Sequence, residues 1–293
     1  MVHAPYSNSF YLEEGKINKK KQQYINNFRK TVTNQKKREN ISNKFSVFLK
    51  KNNLYNANDC KALYDSGIRY VDQYIGKMID KTKQLGIYEQ LMWIVVSDHG
   101  EHFSEHYRRE FYGCHGKDYF EEFVKVPLII KYPFQFKSGP INRPVSLIDV
   151  FPTILDYYDI KSPAFIQGKS LLKHRSQKER NRKTIISEAI SLSGIERKMI
   201  RLGNLKYIIT MKNPGKPGRV NWKEITERRL FDLKADPLEK NNLYNDLKSR
   251  RICIKLEKML IHTIKNSAKT NLRVKETELS EETIKQMEAL GYL

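Results

Sequence analysis

Six apolar residues in a row, Leu91-Met92-Trp93-Ile94-Val95-Val96, give way without a spacer to Ser97-Asp98-His99-Gly100-Glu101. A run of this kind without alternation suits a strand covered on both faces, as in a parallel sheet between helices. It also constrains where chemistry can sit. In open α/β sheets, ligands bind just beyond the carboxyl ends of the strands. Asp98 and His99 fall there, and Gly100 would let the backbone turn sharply. A carboxylate beside an imidazole offers a hard oxygen and a borderline nitrogen to a divalent cation. The residues alone leave a plainer reading open, in which Asp98 caps a helix and His99 packs.

Around this run the pattern is that of an α/β layer. From Lys61 to Gln84, the residues Leu63, Ile68, Val71, Ile75, Met78 and Ile79 recur near helical spacing, and Gly86 suits a carboxyl cap. Val126 to Lys131 reads as a second apolar strand. Asp149 is placed to cap a helix that tolerates Pro152 in its first turn and ends near Tyr158. Beyond about residue 175 the pattern changes. Short strands are expected at 185–187, 199–202, 205–209 and 230–233, with Gly203-Asn204 as a two-residue hairpin turn. Helices are expected at about 243–266 and 281–290.

The formal net charge is +21, and much of the excess lies between Lys16 and Lys51. Such a balance attracts phosphates without sequence preference, but no recognisable nucleic-acid module accompanies it, so no specific nucleic-acid partner is expected. A solvated basic insertion at about 16–57 accounts for the charge more simply, and the overall field also favours anionic substrates. No apolar run approaches the ~18 residues of a membrane helix. No signal-peptide pattern opens the chain, which reads as a cytoplasmic-type product as given. Three widely spaced cysteines, Cys60, Cys114 and Cys253, argue against a disulfide framework.

Several further pieces occur in a set order. After Ser97-Asp98-His99-Gly100-Glu101 come His115-Gly116-Lys117, Tyr119-Phe120-Glu121-Glu122 and Val126-Pro127-Leu128-Ile129-Ile130. Leu147 to Leu155 and Gly168-Lys169-Ser170-Leu171-Leu172 follow, then Leu230-Phe231-Asp232-Leu233, Asp236-Pro237-Leu238-Glu239 and Asn242-Leu243. His3-Ala4-Pro5-Tyr6 stands near the start and Ala289-Leu290-Gly291-Tyr292-Leu293 at the end. This ordered set resembles the sulfatases, a branch of the alkaline phosphatase superfamily. The resemblance implies an incomplete alkaline-phosphatase-like α/β fold with a mixed, mainly parallel sheet sandwiched by helices over residues 1–175. It implies a carboxyl-terminal subdomain with a small antiparallel sheet and helices over residues 176–293.

The resemblance also assigns roles. Asp98 and His99 would be two metal ligands, for calcium or, with the imidazole, for manganese or zinc. Lys117 would contact the sulfate oxygens and neutralise the leaving oxygen. His3 would bind sulfate and protonate the leaving group, a transfer its near-neutral pKa makes feasible. His115 lines the same loop. The substrate implied is an anionic small-molecule or saccharide sulfate ester.

Two family features are missing from the 293 residues. No cysteine or serine opens a Cys/Ser-x-Pro-x-Arg motif, the site of the formylglycine nucleophile, and no adjacent aspartate pair occurs. The expectation is a truncated sulfatase, with an uncovered sheet edge prone to self-association. A phosphodiester, phosphonate or phosphoglycerol-transferring relative is the alternative enzyme, and a non-catalytic remnant binding anions or a partner is the alternative from another class. His102-Phe103-Ser104-Glu105-His106 matches the His-x-x-Glu-His pattern of inverted zinc proteases, but five residues with three fixed are easily matched by accident.

Overall fold

The computed structural model describes residues 57–103, 105–106, 118–134, 139–172, 184–190, 195–212, 222–267 and 280–283. The basic stretch at 16–56 lies outside them.

Helix α1 (Ala57–Gln84) matches the periodic segment. It stops at Gly86, whose φ of 70° is the left-handed conformation that glycine adopts without a Cβ penalty. The Gly86 amide then donates to the Lys83 carbonyl and the Ile87 amide to that of Thr82, which satisfies the last-turn acceptors. The helix is amphipathic, yet Ile68, Tyr74 and Met78 remain exposed.

Strand β1 (Trp93–Val96) occupies the apolar run and pairs with β2 (Leu128–Lys131). The pairing is antiparallel, Trp93 opposite Lys131 and Val96 opposite Leu128. This differs from the parallel neighbours that the uninterrupted run predicts. Strand β2 runs opposite to β1, and an antiparallel pair needs no crossover over the sheet. Nor is β1 covered on both faces among the described residues: its first three residues are half-buried and Val96 is exposed. Between the two strands lies the one-turn helix α2 (Glu121–Val124).

Helix α3 (Val150–Tyr157) lies where it is expected, but Asp149 does a different job. Its buried carboxylate does not cap α3. One oxygen accepts from the Ser146 amide at 3.1 Å and the other from the Lys169 amide at 2.8 Å, so the residue ties two loops together.

The carboxyl-terminal sheet is antiparallel, in the order β3-β4-β5-β6. Its strands are β3 (Thr184–Ile190), β4 (Ile195–Leu202), β5 (Leu205–Lys212) and β6 (Ile225–Asp232). Leu202 pairs with Leu205 across the Gly203-Asn204 turn. Gly203 takes φ 61°, as a glycine-first hairpin turn requires. Strand β5 is the spine, buried from Lys206 to Met211. Tyr207, Ile209 and Met211 face helix α4 (Arg250–Ser267), which presents Cys253, Leu256, Leu260 and Ile264 at i, i+3 and i+4 spacing. On the opposite face, Ile208 packs with Met199 and Phe231 against Tyr119, Phe120 and Phe123.

One long helix over 243–266 is not what forms. Asn242 and Asp246 each accept a hydrogen bond from the amide two residues on, which makes two separate 3₁₀ turns before α4 begins at Arg250. Asn242 also accepts from the Leu230 amide at 2.9 Å and donates to the Arg228 carbonyl, closing the free edge of β6. Of the helix expected over 281–290, residues 281–283 are helical and the remainder lies outside the described residues.

Candidate metal and anion site

The polar turn after β1 is held by short-range bonds. The Ser97 hydroxyl donates to the His99 carbonyl at 2.7 Å, and the His99 amide donates to Asp98 Oδ1 at 3.1 Å. Gly100 has no positive φ, so a sharp turn is not the reason for glycine there. The reason is close approach: its amide donates to the Phe123 carbonyl at 2.8 Å. A Cβ at this position would stand 1.9 Å from the Glu122 carbonyl oxygen. The turn is thereby pressed against α2.

This packing sets the chemistry of His99. Its Nδ1 lies 2.7 Å from the Gly100 carbonyl oxygen, which can only accept, so Nδ1 is the donor and Nε2 is the ring nitrogen that could coordinate a cation. Nε2 stands 3.8 Å from Asp98 Oδ1, with the Asp98 side chain 47% exposed and that of His99 25%. A histidine whose outer nitrogen is fixed by a carbonyl is the usual arrangement of a metal-binding imidazole. A separation of 3.8 Å lets one cation with bonds of about 2.0–2.5 Å touch both atoms. The donor set therefore fits a divalent cation.

A second polar group lies just past this turn. His102 is fully buried, its Nδ1 3.2 Å from Glu105 Oε2 and 3.4 Å from Glu122 Oε1. Glu105 also accepts from the Phe103 amide at 2.6 Å and pairs with Lys61 at 2.8 Å. His106 Nδ1 approaches Glu122 Oε1 at 2.6 Å, while its Nε2 faces the Leu238 carbonyl and its ring stacks on Phe120. Burial alone would raise the Glu122 carboxyl, but hydrogen bonds from His102 and His106 hold it below the usual carboxylate range. Residues 101–103 and 105–106 are not helical. The two histidines therefore do not share a helix face as the inverted zinc protease pattern requires, and that reading gains nothing.

The segment 118–124 is in turn pinned to the carboxyl-terminal sheet by buried charges. Lys206 reaches the Tyr119 carbonyl at 2.8 Å, Glu121 at 2.7 Å and Glu239 at 2.8 Å. The Glu121 amide donates to the other oxygen of Glu239. Arg229 pairs with Asp118 at 2.7 Å and lies over the Phe120 ring. Lys206, Arg229 and Glu239 thus hold the residue directly after Lys117 and the helix on which Gly100 rests. The sequence places Lys206 inside an expected strand and Glu239 inside a motif, and assigns neither a role. A lysine inside an apolar strand was the available signal, since a buried cation needs partners.

Of the site residues singled out in the sequence, Asp98 and His99 are described, with Oδ1 and Nε2 3.8 Å apart. His3, His115 and Lys117 lie outside the described residues.

With the geometry in place, comparison with known proteins is direct. The sulfatase family model matches residues 4–160. The chain belongs to the sulfatase family, and its fold superposes on about half of a solved 2-O GAG sulfatase, with a TM-score of 0.60 at 21% identity. It is 30% identical over 192 residues to arylsulfatase K of Bos taurus, covering 62% of this chain and 33% of that one. It is 27% identical over 226 residues to an N-acetylglucosamine-6-O-sulfatase of Bacteroides thetaiotaomicron, covering 74% and 38%. A protein solved in complex with its substrate D-glucosamine-2-N,6-O-disulfate superposes with a TM-score of 0.59 at 22% identity, covering 90% of this chain and 51% of that one. The phosphonate monoester hydrolase of Agrobacterium radiobacter gives 0.58 at 20% identity, covering 78% and 45%. The chain spans about a third of the length of the curated relatives it matches. Among the described residues, no helix is long and apolar enough to cross a membrane.

Proposed function

We propose that this chain carries the metal- and anion-stabilising part of a sulfatase site acting on sulfate esters. The observation that carries it is the His99 ring, fixed by Gly100 so that Nε2 and Asp98 Oδ1 can share one cation. Asp98 and His99 hold that cation, calcium if oxygen ligands dominate and manganese or zinc if the imidazole does. When bound, it would supply Lewis-acid polarisation of the ester oxygens, the leaving oxygen included. Lys117 neutralises that oxygen, His3 binds sulfate and delivers a proton to the departing alcohol, and His115 lines the loop. The attacking group is not assigned, because no Cys/Ser-x-Pro-x-Arg motif stands in the 293 residues. The formylglycine of the family therefore has no precursor residue here and no step is assigned to it.

A saccharide sulfate is the preferred substrate class, since the relative and the liganded structure above act on sulfated glucosamines. Residues 1–175 form the catalytic portion and 176–293 a supporting subdomain. The phosphonate reading is second, supported by His99 and by the fold shared with the phosphonate hydrolase.

The test is hydrolysis of an aryl sulfate against an aryl phosphonate, with this chain joined to a segment carrying the aspartate pair and the nucleophile motif. Metal-dependent sulfate release is expected, reduced about 10²–10³-fold by Lys117→Ala. Faster phosphonate cleavage would favour the second reading. Absence of both activities would leave a non-catalytic anion- or partner-binding role.

A further inference from the structure

The group formed by His102, Glu105 and Glu122 has no part in the proposed sulfate chemistry. One ligand atom from each lies within 4.8 Å of the other two. We infer that these three side chains bind a zinc-class cation at a site separate from Asp98 and His99, and that this ion fastens the 101–106 segment to α2.

The distances suit such an ion as they stand. Zinc bonded at about 2.0–2.1 Å to tetrahedral ligands sets them roughly 3.3–3.4 Å apart. His102 Nδ1 stands 3.2 Å from Glu105 Oε2 and 3.4 Å from Glu122 Oε1. Two edges of the tetrahedron are therefore already in place. The ligand chemistry selects the metal class, because one imidazole nitrogen with two carboxylate oxygens suits zinc, cobalt or manganese better than calcium.

Each ligand is also oriented from behind. The His102 ring stacks on Phe123. Glu105 is held by the Phe103 amide and by Lys61. Glu122 is held by His106, whose other nitrogen faces the Leu238 carbonyl. Such outer partners fix ligand orientation in metal sites. Glu105 is the most exposed of the three, at 30%, which leaves water as the fourth ligand on its side.

The experiment uses the full chain with Asp98→Asn and His99→Gln together, so that the proposed active-site pair is silenced and its failure cannot mimic this one. After chelator treatment, Co²⁺ is titrated and the visible d–d absorption recorded. Saturable binding of one equivalent with tetrahedral intensity is expected. His102→Gln should abolish it, and Glu105→Gln should weaken it at least ~10-fold. Circular dichroism checks folding, and if His102→Gln does not fold, Glu105→Gln, at the exposed side of the group, decides alone. No saturable Co²⁺ binding in this background, an octahedral-type spectrum, or binding unchanged by Glu105→Gln overturns the site.

Discussion

The two sheets of this protein solve the burial problem differently. In the carboxyl-terminal sheet, β5 is covered by α4 on one face and by the 118–123 segment on the other, and Tyr207, Ile208, Ile209 and Met211 are fully buried. In the β1–β2 pair, which leads into the candidate site, Val96 and Ile129 are exposed, the latter at 63%. Apolar burial is the main driving force of folding, so stability resides chiefly in the carboxyl-terminal sheet, while the candidate site lies at the end of the β1–β2 pair. What joins them is the set of buried ion pairs around Lys206.

That division can be broken most sharply at the join. Lys206→Ala removes a fully buried cation and leaves Glu121 and Glu239 facing each other, so a loss of about 3–5 kcal/mol in denaturant unfolding is expected. Next comes a paired truncation. Leu256→Ala opens the α4–β5 core and should cost about 2–5 kcal/mol, whereas Ile129→Ala on exposed β2 should stay within ~0.5 kcal/mol. Equal losses at the two positions would show that the β1–β2 pair is covered after all. Gly100→Ala drives a Cβ into the Glu122 carbonyl, with an expected cost of about 1–3 kcal/mol and loss of the His99–Gly100 contact.

The smallest effect concerns pH. Glu122 is held below the usual carboxylate range by His102 and His106. Its contribution to stability is present above the unfolded value of ~4.3 and is lost as pH falls through the lower folded one. The acid limb of the melting temperature should therefore be shallower in Glu122→Gln than in the parent chain. An unchanged limb would mean that this carboxylate is not stabilised in the folded state.

Local patterns were the part legible from sequence. Helical spacing located α1, the apolar run located β1, and Gly203-Asn204 located the hairpin, because each depends on neighbours in the chain. Pairing partners were not legible. The direction of β2 against β1 is set by pairing between segments distant in sequence, which no periodicity reports. Gly100 was read as a turn residue, although its role is a contact with residues more than twenty positions away. Asp149 was read as a cap for the same reason, since the Lys169 amide that it serves is distant in sequence. At the candidate site, residue types were enough to pair Asp98 with His99. They were not enough to reveal His102, Glu105 and Glu122 as one group, which required the fold of α2 against the turn.

The central claim is that His99 offers Nε2 to a cation shared with Asp98, and ¹⁵N-histidine NMR of the full chain during a Mn²⁺ titration tests it most directly. The account predicts a His99 ring with Nδ1 as the hydrogen-bond donor, its Nε2 resonance broadened by Mn²⁺ and the broadening lost in Asp98→Asn. A ring protonated at Nε2, or a His99 signal indifferent to Mn²⁺ while the chain is folded, would contradict it.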